Sequence, residues 1–172
     1  MANNIKYFIA QSKYNLKNAH ALKRSFWIGI LSMILNNLTF FVIWFLFMKA
    51  TGPINGWTSL DVFGMLGVAM VAFGFSNGFF YGIVELPQSV VRGTFDSVLL
   101  SPVNAFLKLG GSSFSVTAYG DLLQGIVVAG LYGILMHFSF STWMLYIASI
   151  IFGCIIFVCI RLLCSLVVFF IH

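Results

Sequence analysis

A chain of 172 residues could form one ordinary soluble domain, but with 60% hydrophobic and only 8% charged residues its main solvent is not water, because soluble domains carry about 25% charged residues. Four acidic against nine basic residues give a net charge of +5, which in a soluble protein would point to nucleic acid. Here the bases gather at the ends of apolar runs, so the anionic surface they meet is the lipid headgroup layer, and no nucleic-acid partner is expected.

In chain order, the segment Asn3 to Arg24 brings Ile5, Phe8, Ile9, Leu16 and Ala19 into a narrow stripe, with Lys6, Lys13 and Lys17 grouped on one flank. That periodicity predicts an amphipathic helix within 1–25 lying in the membrane interface; a soluble helix packed on a partner is the competing reading. The first apolar run starts near Ser25, too late and too long for a signal-peptide core, and no small-residue cleavage pattern follows it. It is expected to remain as a first span over 26–47, long enough to cross a hydrocarbon core of about 30 Å.

Lys49, Gly52, Pro53, Asn55 and Gly56 then make a polar turn. A second span is expected over 62–84, closed by Glu85 and Pro87, a third over 114–136, and a fourth over 143–171 after the short link His137 to Thr142. The fold class is therefore all-α: a polytopic transmembrane bundle of about four spans with an interfacial N-terminal helix, forming one domain over 1–172. The longest polar connection is 85–113.

Orientation follows from the bases, since Lys and Arg are retained on the cytoplasmic side. Lys6, Lys13, Lys17, Lys23 and Arg24 precede the first span and Arg92 and Lys108 follow the second, against Lys49 alone on the opposite side. The N-terminus is thus expected in the cytoplasm and the 85–113 loop with it, in the cell membrane. Trp57 and Trp143 then fall at the outer interface and Trp27 at the inner one.

No enzyme constellation is visible: no phosphate-cradling glycine loop ending in Lys-Ser/Thr and no histidine pair at ligand spacing. His20, His137 and His172 stand alone, and Cys154, Cys159 and Cys164 read as small apolar packing residues. Catalytic, cofactor and metal residues are accordingly none. Gly74, Gly78 and Gly82, spaced four apart, mark a face to which another helix can come close, with Gly67 and Val71 extending it and Gly125, Ala129 and Gly133 repeating the device more weakly. Polar residues inside the spans are Asn36, Asn37, Ser76, Asn77, Asp121, Gln124 and Arg161. An ionisable side chain there costs about 2.5 to 3.5 kcal/mol on insertion scales and is a functional hypothesis by default. For Arg161 the bland alternative is snorkelling to the inner interface, and for Asp121 a place in that interface.

The loop is the informative segment. Ser89 to Val91 predicts a short helix stopped at Gly93, followed by a second turn from Phe95 to Leu100 and a break at Pro102. Such an element presents Phe95, Leu99 and Leu100 as apolar contacts beside Arg92 and Asp96. The run Gly93, Phe95, Asp96, Leu99, Leu100, Pro102 and Val103, together with the basic N-terminus, the Gly56-Trp57-Thr58 turn and Arg161, resembles the permease subunits of ABC exporters of the type-2 class, within a branch of bacterial six-helix permeases. The resemblance extends over nearly the whole chain. It implies that Glu85 and Arg92 to Leu100 form a coupling helix touching a separate ABC ATPase that binds the ATP, and that a second permease, identical or not, completes the pathway in the bilayer. It also implies two further helices, so the chain, which stops in the apolar run Leu162 to Ile171, corresponds to an interrupted permease. A non-transporting four-helix accessory or scaffold protein is the alternative function; a small pore-former fits less well, because no span carries a clear polar stripe.

Overall fold

The computed structural model describes residues 2–21 and 23–171, and His172 lies outside them. The helices are α1 (Ala2–Ala21), α2 (Lys23–Thr51), α3 (Ser59–Phe79), α4 (Leu86–Val91), α5 (Phe95–Leu99), α6 (Ala105–Gly110), α7 (Thr117–Leu135), α8 (Phe140–Leu166) and α9 (Val168–Ile171), with a 3-10 turn at Tyr81–Glu85. Four of these, α2, α3, α7 and the α8–α9 run, are long and apolar enough to cross a membrane.

The spans alternate in direction. Along α3 and α7 the close approaches run in opposite order, Gly64 to Tyr132, Gly67 to Ala129, Val71 to Gly125 and Gly74 to Leu122, so the two are antiparallel. Along α3 and α8 they run in the same order, Phe73 to Phe157 and Asn77 to Arg161. α2 and α7 are likewise parallel, Gly29 lying beside Val116 and Asn37 beside Asp121. The row is therefore α2–α7–α3–α8, with α3 against α7 as its most extensive contact and α2 making little contact with α3.

Glycine and alanine occupy the α3–α7 seam because the backbones meet there. A Cβ on Gly67 would stand 2.9 Å from the Ala129 nitrogen, and one on Gly125 2.7 Å from the Val71 nitrogen. Larger residues would hold the helices apart and lose the dispersion contacts that drive association in lipid. The flanking helices α2 and α8 leave most of their apolar side chains exposed, as spans that meet lipid or another membrane subunit must.

Polar ends fix the turns. Asn55 and Gly56 adopt positive φ while Ile54 and Trp57 exchange backbone hydrogen bonds, a two-residue reversal. Thr58 opens α3, its N–H and hydroxyl both donating to the Asp61 carboxylate at 2.8 and 2.7 Å. At the other end, α1 lies against the bundle through Phe8, which stacks on Phe80 at 5.2 Å, and through buried Asn15, whose Nδ2 donates to the Gly111 carbonyl at 2.9 Å. Ile5, Ile9 and Leu16 remain exposed.

Candidate functional site

Two sets of residues stand out: the folded loop after α3, and polar ties that join each pair of neighbouring spans.

The loop begins at Tyr81–Glu85, where the chain tightens and carries Gly82 against the Leu109 carbonyl and Ser112 hydroxyl, closer than any Cβ would allow. Ile83 and Leu86 are 0% and 2% exposed, so the base of the loop is built into the bundle, against α8 and α6. Pro87 sits in the first turn of α4, where its missing N–H costs nothing. Gly93 ends that helix with φ of 69°, a conformation that a side chain disfavours. The reversal is pinned by the Thr94 N–H donating to the Ser89 carbonyl at 3.0 Å, and α5 follows. The Lys108 ammonium donates to the Ser97 carbonyl at 3.1 Å, and Asn104 caps α6 by accepting from the N–H groups of Phe106 and Leu107.

The result is a hydrogen-bonded projection with an apolar tip. Leu99 is 57% and Leu100 86% exposed, and Val91 is exposed beside them. Glu85, Arg92, Gly93, Asp96 and Pro102 are also exposed. Phe95 differs from its neighbours: it is half-buried, with its ring 6.0 Å from Phe169, so it ties the projection to α9.

The ties lie inside the bundle. Asn37 Nδ2 donates to Asp121 Oδ1 at 2.7 Å and joins α2 to α7; Asp121, whose sequence left an interfacial position open, is only 3% exposed. Arg161 Nη2 donates to Asn77 Oδ1 at 2.8 Å and joins α8 to α3, with its guanidinium over the Tyr81 ring. Asn77 also accepts, through its carbonyl, the N–H of Ser115 that leads into α7. At the opposite end of the bundle Tyr132 donates to Asp61 Oδ1 and Tyr146 to the Gly64 carbonyl, each at 2.8 Å. The sequence exposes these polar residues one by one but not as pairs, since Asn37 and Asp121 are 84 residues apart, as are Asn77 and Arg161.

A test of the first tie is direct. Asn37→Leu leaves the buried Asp121 carboxyl without its donor, which costs about 1–3 kcal/mol, whereas Asn37→Leu with Asp121→Leu removes both polar groups and is expected to restore much of the loss. Thermal unfolding in detergent measures both; equal destabilisation of the single and double variants would refute the pairing argument.

The three cysteines are free and lie on α8, and no group of three His, Cys, Asp or Glu side chains able to hold a metal occurs among the described residues. Ile83 and Leu86 thus join the base of the α4–α5 loop to the bundle, and Arg161 joins α8 to α3 beside it.

These features define a multi-pass helical membrane protein with a folded loop at one end of its spans. The sequence matches the family described as ABC-2 family transporter protein over residues 33–172, and the chain belongs to that family. It is therefore a membrane component of an ABC transporter, a class that pairs with an ABC ATPase subunit. No curated protein and no solved structure matches the chain.

Proposed function

We propose that the chain is the permease subunit of an ATP-driven exporter, in which a separate ATPase binds the ATP and seats the α4–α5 tip, and nucleotide-dependent closure moves the spans. The observation that carries this reading is the joining of two properties in one segment: Leu99 and Leu100 stand exposed at the tip, while Ile83 and Leu86 at the base are buried in the bundle. A mere connector needs neither. Arg92 and Asp96 border the tip as a polar rim. The exposed apolar sides of α2 and α8 suit a second permease subunit as well as lipid.

The loop is placed in the cytoplasm with α1, a reading supported by the excess of Lys and Arg at that end of the spans. In a background lacking the native cysteines, Ser97→Cys on the loop is expected to react with an impermeant thiol reagent only after lysis, and Ser141→Cys, in the exposed first turn of α8, in intact cells. The reverse labelling pattern would invert the orientation and remove the ATPase contact.

A further inference from the structure

We infer that α1 and the bundle form a binding site for one anionic phospholipid, its acyl chain in the crevice between them and its phosphate on Lys13. A crevice of about 250 Å³ runs between α1 and the ends of α3 and α7. Its apolar walls are Phe8, Ile9 and Leu16 from α1 and Phe79 from α3. The three polar side chains that line it are Ser12, Lys13 and Tyr119, every one a hydrogen-bond donor. The four acidic residues of the chain are Asp61, Glu85, Asp96 and Asp121, and none of them lines the crevice. An apolar slot edged by an ammonium and two hydroxyls, at the end of the bundle where the membrane helix α2 begins with Lys23 and Arg24, fits an amphiphile with a negative head.

The wall is also held in place before any lipid arrives. Asn15 donates to the Gly111 carbonyl and Phe8 stacks on Phe80, so α1 cannot simply roll away. Around the helix Phe8 and Asn15 are followed by Ile5, Ile9 and Leu16, of which Ile9 and Leu16 edge the crevice, and then by Lys6, Lys13 and Lys17. A helix attracted only diffusely to an anionic surface would use the three lysines alike. Here Lys13 alone of them borders the crevice.

Native mass spectrometry of the full chain, with dioleoylphosphatidylglycerol or dioleoylphosphatidylcholine added at equal concentration, tests the site. One retained phosphatidylglycerol per chain is expected, with far less phosphatidylcholine. Lys13→Gln should weaken phosphatidylglycerol retention about fivefold, the usual effect of one base near an anionic headgroup, while Lys13→Arg and Lys6→Gln retain it. Ser12→Phe, which fills the slot, should abolish it while Asn15 still anchors the helix. Equal retention of the two lipids, equal loss in Lys6→Gln and Lys13→Gln, or a second copy of the chain in place of the lipid would overturn the inference. Full displacement by glycerol 3-phosphate would show that the site recognises a free phosphate and would overturn the lipid as occupant.

Discussion

Gly74→Ala is expected to lower stability in detergent by roughly 1–3 kcal/mol, as overpacking a close-packed contact does, although alanine is by itself the better helix former by about 1 kcal/mol. A Cβ at Gly74 would lie 2.8 Å from the Leu122 nitrogen and 3.0 Å from the Ala118 oxygen. Both are backbone atoms of α7, so neither can rotate aside, and the two helices must separate along the whole seam. Gly78 stands one turn further on, yet a Cβ there would meet only the Leu122 side chain at 3.6 Å and the Ala118 Cβ at 3.8 Å, ordinary contact distances. Gly78→Ala is therefore expected to be neutral, and only a large residue such as leucine to disturb the bundle. Melting curves of Gly74→Ala and Gly78→Ala side by side decide the matter: indistinguishable curves would mean that the α3–α7 seam is not held by backbone proximity.

The contrast between these two glycines shows where a sequence stops being informative. A four-residue spacing identifies the face but not the register of the partner, and the register alone makes Gly74 intolerant and Gly78 tolerant. The same holds for α1. The stripe Ile5, Phe8, Ile9, Leu16 and Ala19 is legible at helical period, but periodicity does not say which neighbour a face meets. In the structure Phe8 packs on the bundle, Ile9 and Leu16 edge the crevice beside it, and Ile5 stays exposed.

Helix ends diverge for a different reason. Hydropathy marks the apolar stretch 26–47, whereas the helix runs Lys23–Thr51, because lysine and arginine are good helix formers and a span continues through the headgroup layer. The reverse occurs after α3. The apolar run persists to Val84, but the regular helix ends at Phe79 and a tighter turn brings Gly82 onto the Leu109 carbonyl, a contact 27 residues distant in sequence. Within the loop, Pro87 and Gly93 act locally and could be read directly, as could the break near Pro102. α6 was hidden in what looked like a polar connection; Asn104 before an apolar run is the signal that marks its start. The intramembrane ties were legible only as isolated polar residues, since pairing Asn37 with Asp121 requires knowing that α2 packs on α7 rather than on its sequence neighbour α3.

Replacing Leu99 and Leu100 together by alanine is expected to weaken association with the cognate ATPase by more than about 1 kcal/mol per residue, the mark of side chains that dominate an interface, and to leave membrane insertion and melting behaviour intact. The reasoning rests on where each side chain already has partners. Leu100 is 86% and Leu99 57% exposed at the tip, so their apolar surface can be removed from water only by another molecule. Phe95, the aromatic residue in the same run, is partly occupied by Phe169, and Phe95→Ala is expected to reduce stability as well as docking. Comparing the two variants therefore separates a contact residue from one that stiffens the lever: the leucine pair should alter co-purification at constant melting temperature, and Phe95→Ala should change both. A cysteine at Ser97, exposed on the same turn, supplies a geometric check by crosslinking to the ATPase. If the leucine pair co-purifies with the ATPase as well as the unmodified chain does and no crosslink forms at Ser97, the projection is a folded connector, and the drive must enter the spans elsewhere.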